Sequence, residues 1–278
     1  MNLADYPDQE PLSEFGQRHH LGMTRRNPQL LATEHAYVDG CPQRRLLFFP
    51  ATVPDAPVLI FFHGGGWTNG FKEYAAFMGP LFAQAGIAFV TAGYRLAPAH
   101  VFPAGWLDCA DAVRWCWTER DRLGISGERF FVGGFSAGAH YASLLATRAD
   151  WMASRALPGN LLKGCLAVSG SYRFDAQAGF AVRPRFLGAP ELRNEIAAAP
   201  IEHVRVGVAP FHISWGEQDF PHLVRQAREL ADRLAGAGGD VTCLEMPGRD
   251  HLGAGFAAGE YDGPWFAAAR SWIEARAR

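Results

Sequence analysis

The chain has 278 residues, 49% of them hydrophobic and 19% charged, with a formal net charge of −2. That composition excludes a mainly disordered chain, and the balanced charge leaves no basic field to hold a phosphate backbone, so nucleic acid is not an expected partner. No apolar run approaches the ~18 residues that cross a bilayer, and the opening MNLADYPDQE lacks the apolar stretch of a secretory signal, so no membrane association is expected. The five cysteines (Cys41, Cys109, Cys116, Cys165 and Cys243) are scattered without a CxxC pair. This fits a reducing cytoplasm better than a disulfide framework or a metal site.

Residues 1–35 are polar and weakly periodic, and read as an N-terminal arm with one short helix. Residues 44–50 (RRLLFFP) and 57–63 (PVLIFFH) read as strands split by a turn at Pro54-Asp55. Over 72–85, the residues Tyr74, Phe77, Met78, Leu81, Phe82 and Ala85 recur at helical spacing, which predicts one amphipathic helix ended near Gly86. A buried strand is expected at 87–92, a helix at 106–123, a strand at 129–135 and a helix at 136–148. Further strands are expected at 165–169, 211–215 and 241–246, and the last two lead into helices at 221–237 and 264–277. Strands that are apolar throughout and alternate with helices predict an α/β fold, a mostly parallel sheet flanked by helices on both faces. Residues 170–210 are rich in Pro, Gly and Arg and read as a small cap insertion within one domain spanning 36–278.

Gly134-Phe135-Ser136-Ala137-Gly138 matches G-x-S-x-G, with an apolar strand before it and a helix after it. Such a sharp turn needs small residues on both sides, lifts the serine hydroxyl to the sheet edge and sets it at a helix N-terminus. His63-Gly64-Gly65-Gly66-Trp67 follows another apolar strand directly. Consecutive glycines let backbone N–H groups turn toward a substrate oxygen, so the amides of Gly65, Gly66 and Ala137 are the expected oxyanion donors. A serine also needs a base, and the base an orienting acid. Asp219 follows the FHISW strand and His251 follows VTCLEM. Glu217 is a second candidate acid, whereas Asp250 adjoins His251 too closely to approach its ring easily. Among the other histidines, His63 is expected to brace the glycine loop, His140 to pack beneath the serine turn, and His212 to sit in its strand or beside it.

These motifs resemble the α/β-hydrolase superfamily, in which the serine, acid and histidine follow in this order. HGGGW is similar to the esterase/lipase branch related to hormone-sensitive lipase. Phe71-Lys72-Glu73, Gly93-Tyr94-Arg95-Leu96-Ala97-Pro98, Ser136-Ala137-Gly138-Ala139-His140, Phe186-Leu187-Gly188 and Ala199-Pro200-Ile201 resemble the kynurenine formamidase-like branch. Two positions depart: Gly66 stands where the formamidases usually carry an aromatic residue, and Phe135 where the lipase branch usually carries Asp. The resemblance implies a hydrolase with no metal or cofactor that acts through an acyl-enzyme on a small ester or, alternatively, a small N-acyl amide.

The pocket is expected to draw aromatic residues from the glycine loop and the insertion (Trp67, Phe71, Phe180, Phe186). More should come from around the acid and the late histidine (Phe220, Phe256, Tyr261, Trp265). Such a lining suits a small aromatic or short acyl substrate. Arg173, Arg183 and Arg185 in the insertion are candidates to hold a substrate carboxylate. The insertion is too short for a large lipase lid, which argues against long-chain triglyceride. The chain is expected to work as a monomer or homodimer.

Overall fold

In the computed structural model, described for residues 5–26, 32–182 and 184–277, eight strands form one sheet. They are β1 (Thr33–Ala36), β2 (Arg45–Phe49), β3 (Ala56–Phe62), β4 (Ala88–Ala92), β5 (Ile125–Phe135), β6 (Leu162–Val168), β7 (Phe211–Gln218) and β8 (Val241–Asp250). Their order is β1-β2-β4-β3-β5-β6-β7-β8. β2 runs antiparallel to both neighbours and every later pairing is parallel. The central strands are nearly all apolar and buried, as a sheet covered on both faces requires. β8 departs from this pattern: it is an edge strand, and of its residues only Met246 is buried, because among the described residues one flank has no strand beyond it.

Ten α-helices surround the sheet among the described residues. α1 (Glu14–Arg25), α2 (Gly79–Gln84), α3 (Ala104–Thr118), α4 (Arg120–Leu123) and α5 (Ala137–Thr147) come first. α6 (Asp150–Ala153), α7 (Asn194–Ala198), α8 (Pro221–Gly236), α9 (His251–Ala257) and α10 (Pro264–Arg276) follow. The sheet divides the core into two apolar layers. One contains residues of α3, α5 and α8; the other packs α2, α9 and α10 on the opposite face. All eleven residues of α5 are buried, which its small Ala and Gly positions permit by close approach to the strands.

The expected helix over 72–85 is two pieces, a 3-10 segment at Lys72–Met78 and then α2. Pro80 explains the break: it has no N–H to continue the first piece, but it suits the first turn of a new helix. The arm is more structured than its weak periodicity implied. Ser13 caps α1, its hydroxyl accepting from the Gly16 amide at 3.2 Å, and Met23 and His19 are buried on its inner face. β1 straddles the expected arm boundary at 35. Among its described residues the 170–210 stretch holds short pieces, 3-10 turns at Pro190–Leu192 and Pro200–His203 with α7 between them.

Candidate active site

The turn from β5 into α5 is forced by its glycines. A Cβ on Gly134 would lie 2.3 Å from the Gly138 carbonyl carbon, and one on Gly138 would lie 2.0 Å from the Phe62 carbonyl oxygen. Ser136 itself sits at φ +54, a left-handed conformation that non-glycine residues avoid unless the surroundings impose it. Its amide is tied to the Val168 carbonyl at 2.8 Å, so the end of β6 holds the turn in place.

The glycine loop runs against this turn. A Cβ on Gly64 would touch the Ser136 Cβ at 3.2 Å, and one on Gly65 (φ +131) would meet the Asn69 carbonyl oxygen at 1.9 Å. The Gly65 carbonyl accepts from the amides of Thr68 and Asn69, closing the loop. His63 braces it from within. Its Nδ1 donates to the Gly64 carbonyl at 2.8 Å, and its ring stacks on Tyr94 at 4.2 Å. Burial pushes the His63 pKa down to about 4, so the ring is neutral. Tyr94 belongs to a loop that Arg95 pins through paired bonds of 2.8 Å to the buried Asp108.

Ser136, His251 and Asp219 arrive from three separate strand ends and meet. Ser136 Oγ is 3.0 Å from His251 Nε2, and His251 Nδ1 is 2.8 Å from Asp219 Oδ1. His251 opens α9 directly after β8, and Asp219 follows β7. The Asp219 carboxylate also accepts from the Phe220 amide at 2.7 Å and from the Ser169 hydroxyl at 2.5 Å. Burial works to raise the Asp219 pKa, but His251, Ser169 and the Phe220 amide outweigh it and hold the carboxyl below its usual range. Glu217 points elsewhere, accepting from the Gly248 amide at 2.7 Å, and Asp250 caps α9 through the Gly253 amide.

A cavity of about 460 Å³ opens above Ser136, and Gly65, Gly66, Ala137 and His251 all line it. Trp67, Phe180, Phe186 and Phe220 line it as well. Trp67 is held at φ +63, stacked on Phe186 at 4.2 Å, with its indole N–H donating to His140 Nδ1 at 3.0 Å. His140, under the serine turn, donates in turn from Nε2 to the Ala198 carbonyl at 2.7 Å.

Other expected lining residues lie elsewhere. Phe71 is not at the cavity; it is buried behind the wall between Tyr6 and Tyr74. Trp265 fills the core and donates to Ser214 Oγ, Phe256 packs under Arg26 of the arm, and Tyr261 is exposed. Phe71, Trp265 and Phe256 pack with an apolar layer that the local sequence does not distinguish from a pocket, whereas Tyr261 faces solvent. Arg173 is committed to Asp175 and Glu229, away from the cavity. Arg185 reaches the cavity but pairs with Glu10, and Arg183 lies outside the described residues.

The arm, expected only as a polar lead-in, is part of the site. Leu12, Phe15 and His19 form one wall of the cavity, with the Phe15 ring 6.0 Å from that of His251. The arm is clamped down by polar contacts. Gln9 bonds both the amide and the carbonyl of Gly70, Asn69 donates to the Glu10 carbonyl, and the Tyr6 hydroxyl donates to Glu73. The partners lie some 60 residues away in sequence, so no local signal announces them. Ser169 is also unexpected; its only sequence mark is that it precedes a glycine at the end of an apolar strand.

The chain is 33% identical over 217 residues to esterase LipC of Mycobacterium tuberculosis, an alignment covering 70% of this chain and 53% of that protein. It thus spans about half the length of this curated relative. Among solved structures it superposes on a bacterial heroin esterase with a TM-score of 0.77 at 25% identity, covering 94% of this chain and 90% of that one. An esterase of Pyrobaculum calidifontis gives a TM-score of 0.77 at 20% identity, covering 94% and 92%. A family model described as alpha/beta hydrolase fold matches residues 59–255, the span that holds the glycine loop, the serine turn, the acid and the histidine, and the chain belongs to that family.

Proposed function

We propose that the protein is a serine carboxylesterase for small esters. The observation that carries this reading is the hydrogen-bonded line Ser136–His251–Asp219 at the floor of a cavity walled by Gly65, Gly66 and Ala137. In this mechanism His251 Nε2 takes the Ser136 proton as Oγ bonds to the ester carbonyl carbon. The oxygen that becomes negative is met by the amides of Gly65, Gly66 and Ala137. Asp219 keeps the proton of His251 on Nδ1 and stabilises the imidazolium. The imidazolium then protonates the departing alcohol, leaving an acyl group on Ser136. Water, deprotonated by His251, releases the acid and restores the serine.

The relatives described above are esterases, which favours an ester over the formamide alternative. The aromatic wall of Trp67, Phe180 and Phe186 and the modest cavity suit a compact acyl or aryl group. Two measurements test the reading. An organophosphonate should abolish activity and add its mass at Ser136, and Ser136→Ala should lower kcat on p-nitrophenyl acetate by roughly 10⁴- to 10⁶-fold. Active protein carrying no label on Ser136 would sink the mechanism. Comparing kcat/KM on p-nitrophenyl esters and on N-formylkynurenine decides between ester and amide, and a higher value on the amide would reverse the preference stated here.

A further inference from the structure

Ser169 is the first residue after β6, and it combines three unusual features. It is 1% exposed, it is held at φ +52 without being glycine, and its hydroxyl donates to Asp219 Oδ2 at 2.5 Å. Its own amide is fastened to the Ser214 carbonyl of β7 at 2.8 Å. The same strand end therefore grips both halves of the site: the Val168 carbonyl takes the amide of Ser136, and the next residue takes the acid.

The carboxylate geometry shows why this matters. Oδ1 accepts from His251 Nδ1 and from the Phe220 amide, whereas Oδ2 accepts from the Ser169 hydroxyl. A buried, charged oxygen without a donor is costly, so losing the hydroxyl would favour rotation of the carboxylate toward other donors. Rotation would take Oδ1 off the line to His251. A left-handed backbone at a non-glycine residue persists only where its surroundings over-determine it, and here it aims the hydroxyl at the acid.

We propose that Ser169 is a positioning residue for the acid, its hydroxyl fixing the Asp219 carboxylate so that one oxygen faces His251. The proposal rests on the reading of Asp219 as the acid of a serine esterase. It is tested with Ser169→Ala and Ser169→Gly, each alone and in an Asp219→Asn background, assayed for kcat and KM on p-nitrophenyl acetate. Glycine accepts the left-handed backbone without strain, so Ser169→Gly removes the hydroxyl while keeping the turn, even if the alanine variant folds poorly. Both single variants should lose kcat by roughly 10- to 100-fold with KM little changed. In the Asp219→Asn background the same change should cost nothing further, because it acts through the acid.

Wild-type kcat in Ser169→Gly would overturn the proposal, as would a full multiplicative loss on top of Asp219→Asn. Asp219→Asn retaining the wild-type rate would instead remove the reading of the acid, and the role of Ser169 with it. A normal Ser169→Gly beside a crippled Asp219→Asn would remove the role of Ser169 alone.

Discussion

The floor and the cover of the cavity are held in place by different physics. On the floor, main chain packs against main chain: Gly134, Gly138 and Gly65 sit where a single Cβ would overlap a backbone atom. On the cover, the arm is held by side-chain clamps, Tyr6 on Glu73, Gln9 on Gly70 and Glu10 with Arg185. Main-chain packing leaves almost no freedom, so it suits groups whose geometry must be set to tenths of an ångström. Clamps that run through side chains yield more readily, so the cover is held less rigidly than the floor.

The largest effect is expected from breaking the floor. Gly138→Ala places a methyl group 2.0 Å from the Phe62 carbonyl oxygen, with backbone on both sides of the clash. It should destabilise the protein by about 3 kcal/mol or prevent folding. Urea unfolding reads this directly, and a wild-type midpoint would show that the floor is softer than its packing implies.

Acid should loosen both parts, and histidine substitutions can separate them. Burial lowers the pKa of His63 to about 4 on the floor, that of His140 to about 3 beneath it, and that of His19 to about 3 in the cover. Unfolded, each would titrate near the ordinary value of 6.5. Below that pH the unfolded chain binds protons that the folded chain refuses, so stability is full above 6.5 and falls as pH drops toward 4. Each ring contributes up to about 1.4 kcal/mol per pH unit. His19→Phe should flatten the slope by one such contribution, measured as urea midpoints between pH 7 and pH 4.5. An unchanged slope would mean that the arm has already come away before its histidine titrates.

The smallest effect is expected from trimming the cover. Phe15→Ala opens the wall beside His251 and Phe220 without touching the floor. KM for a p-nitrophenyl ester should rise roughly three- to tenfold, with kcat nearly constant. A comparable fall in kcat would show that the arm sets the orientation of His251 as well as the shape of the cavity.

The chemical half of the site was legible because its signals are local. A glycine flanking a serine after an apolar strand, or three glycines after another, reports a backbone constraint at that very place. The covering half was not legible in this way. Phe15 and Phe71 are both aromatic, yet one faces the cavity and the other lies behind it. Arg173 and Arg185 carry the same charge, and only their acidic neighbours reveal that neither stands free.

The order of strands and helices, the tight turn at Ser136 and the run of glycines at 64–66 follow from short-range rules: side-chain period, chain stiffness and the space a Cβ needs. They belong to the sequence alone. Which wall an aromatic ring joins, that the arm returns over the cavity, and that Ser169 reaches Asp219 were decided by contacts between residues 50 or more positions apart. Such contacts depend on how the sheet stacks its strand ends, and no stretch of chain contains that information by itself.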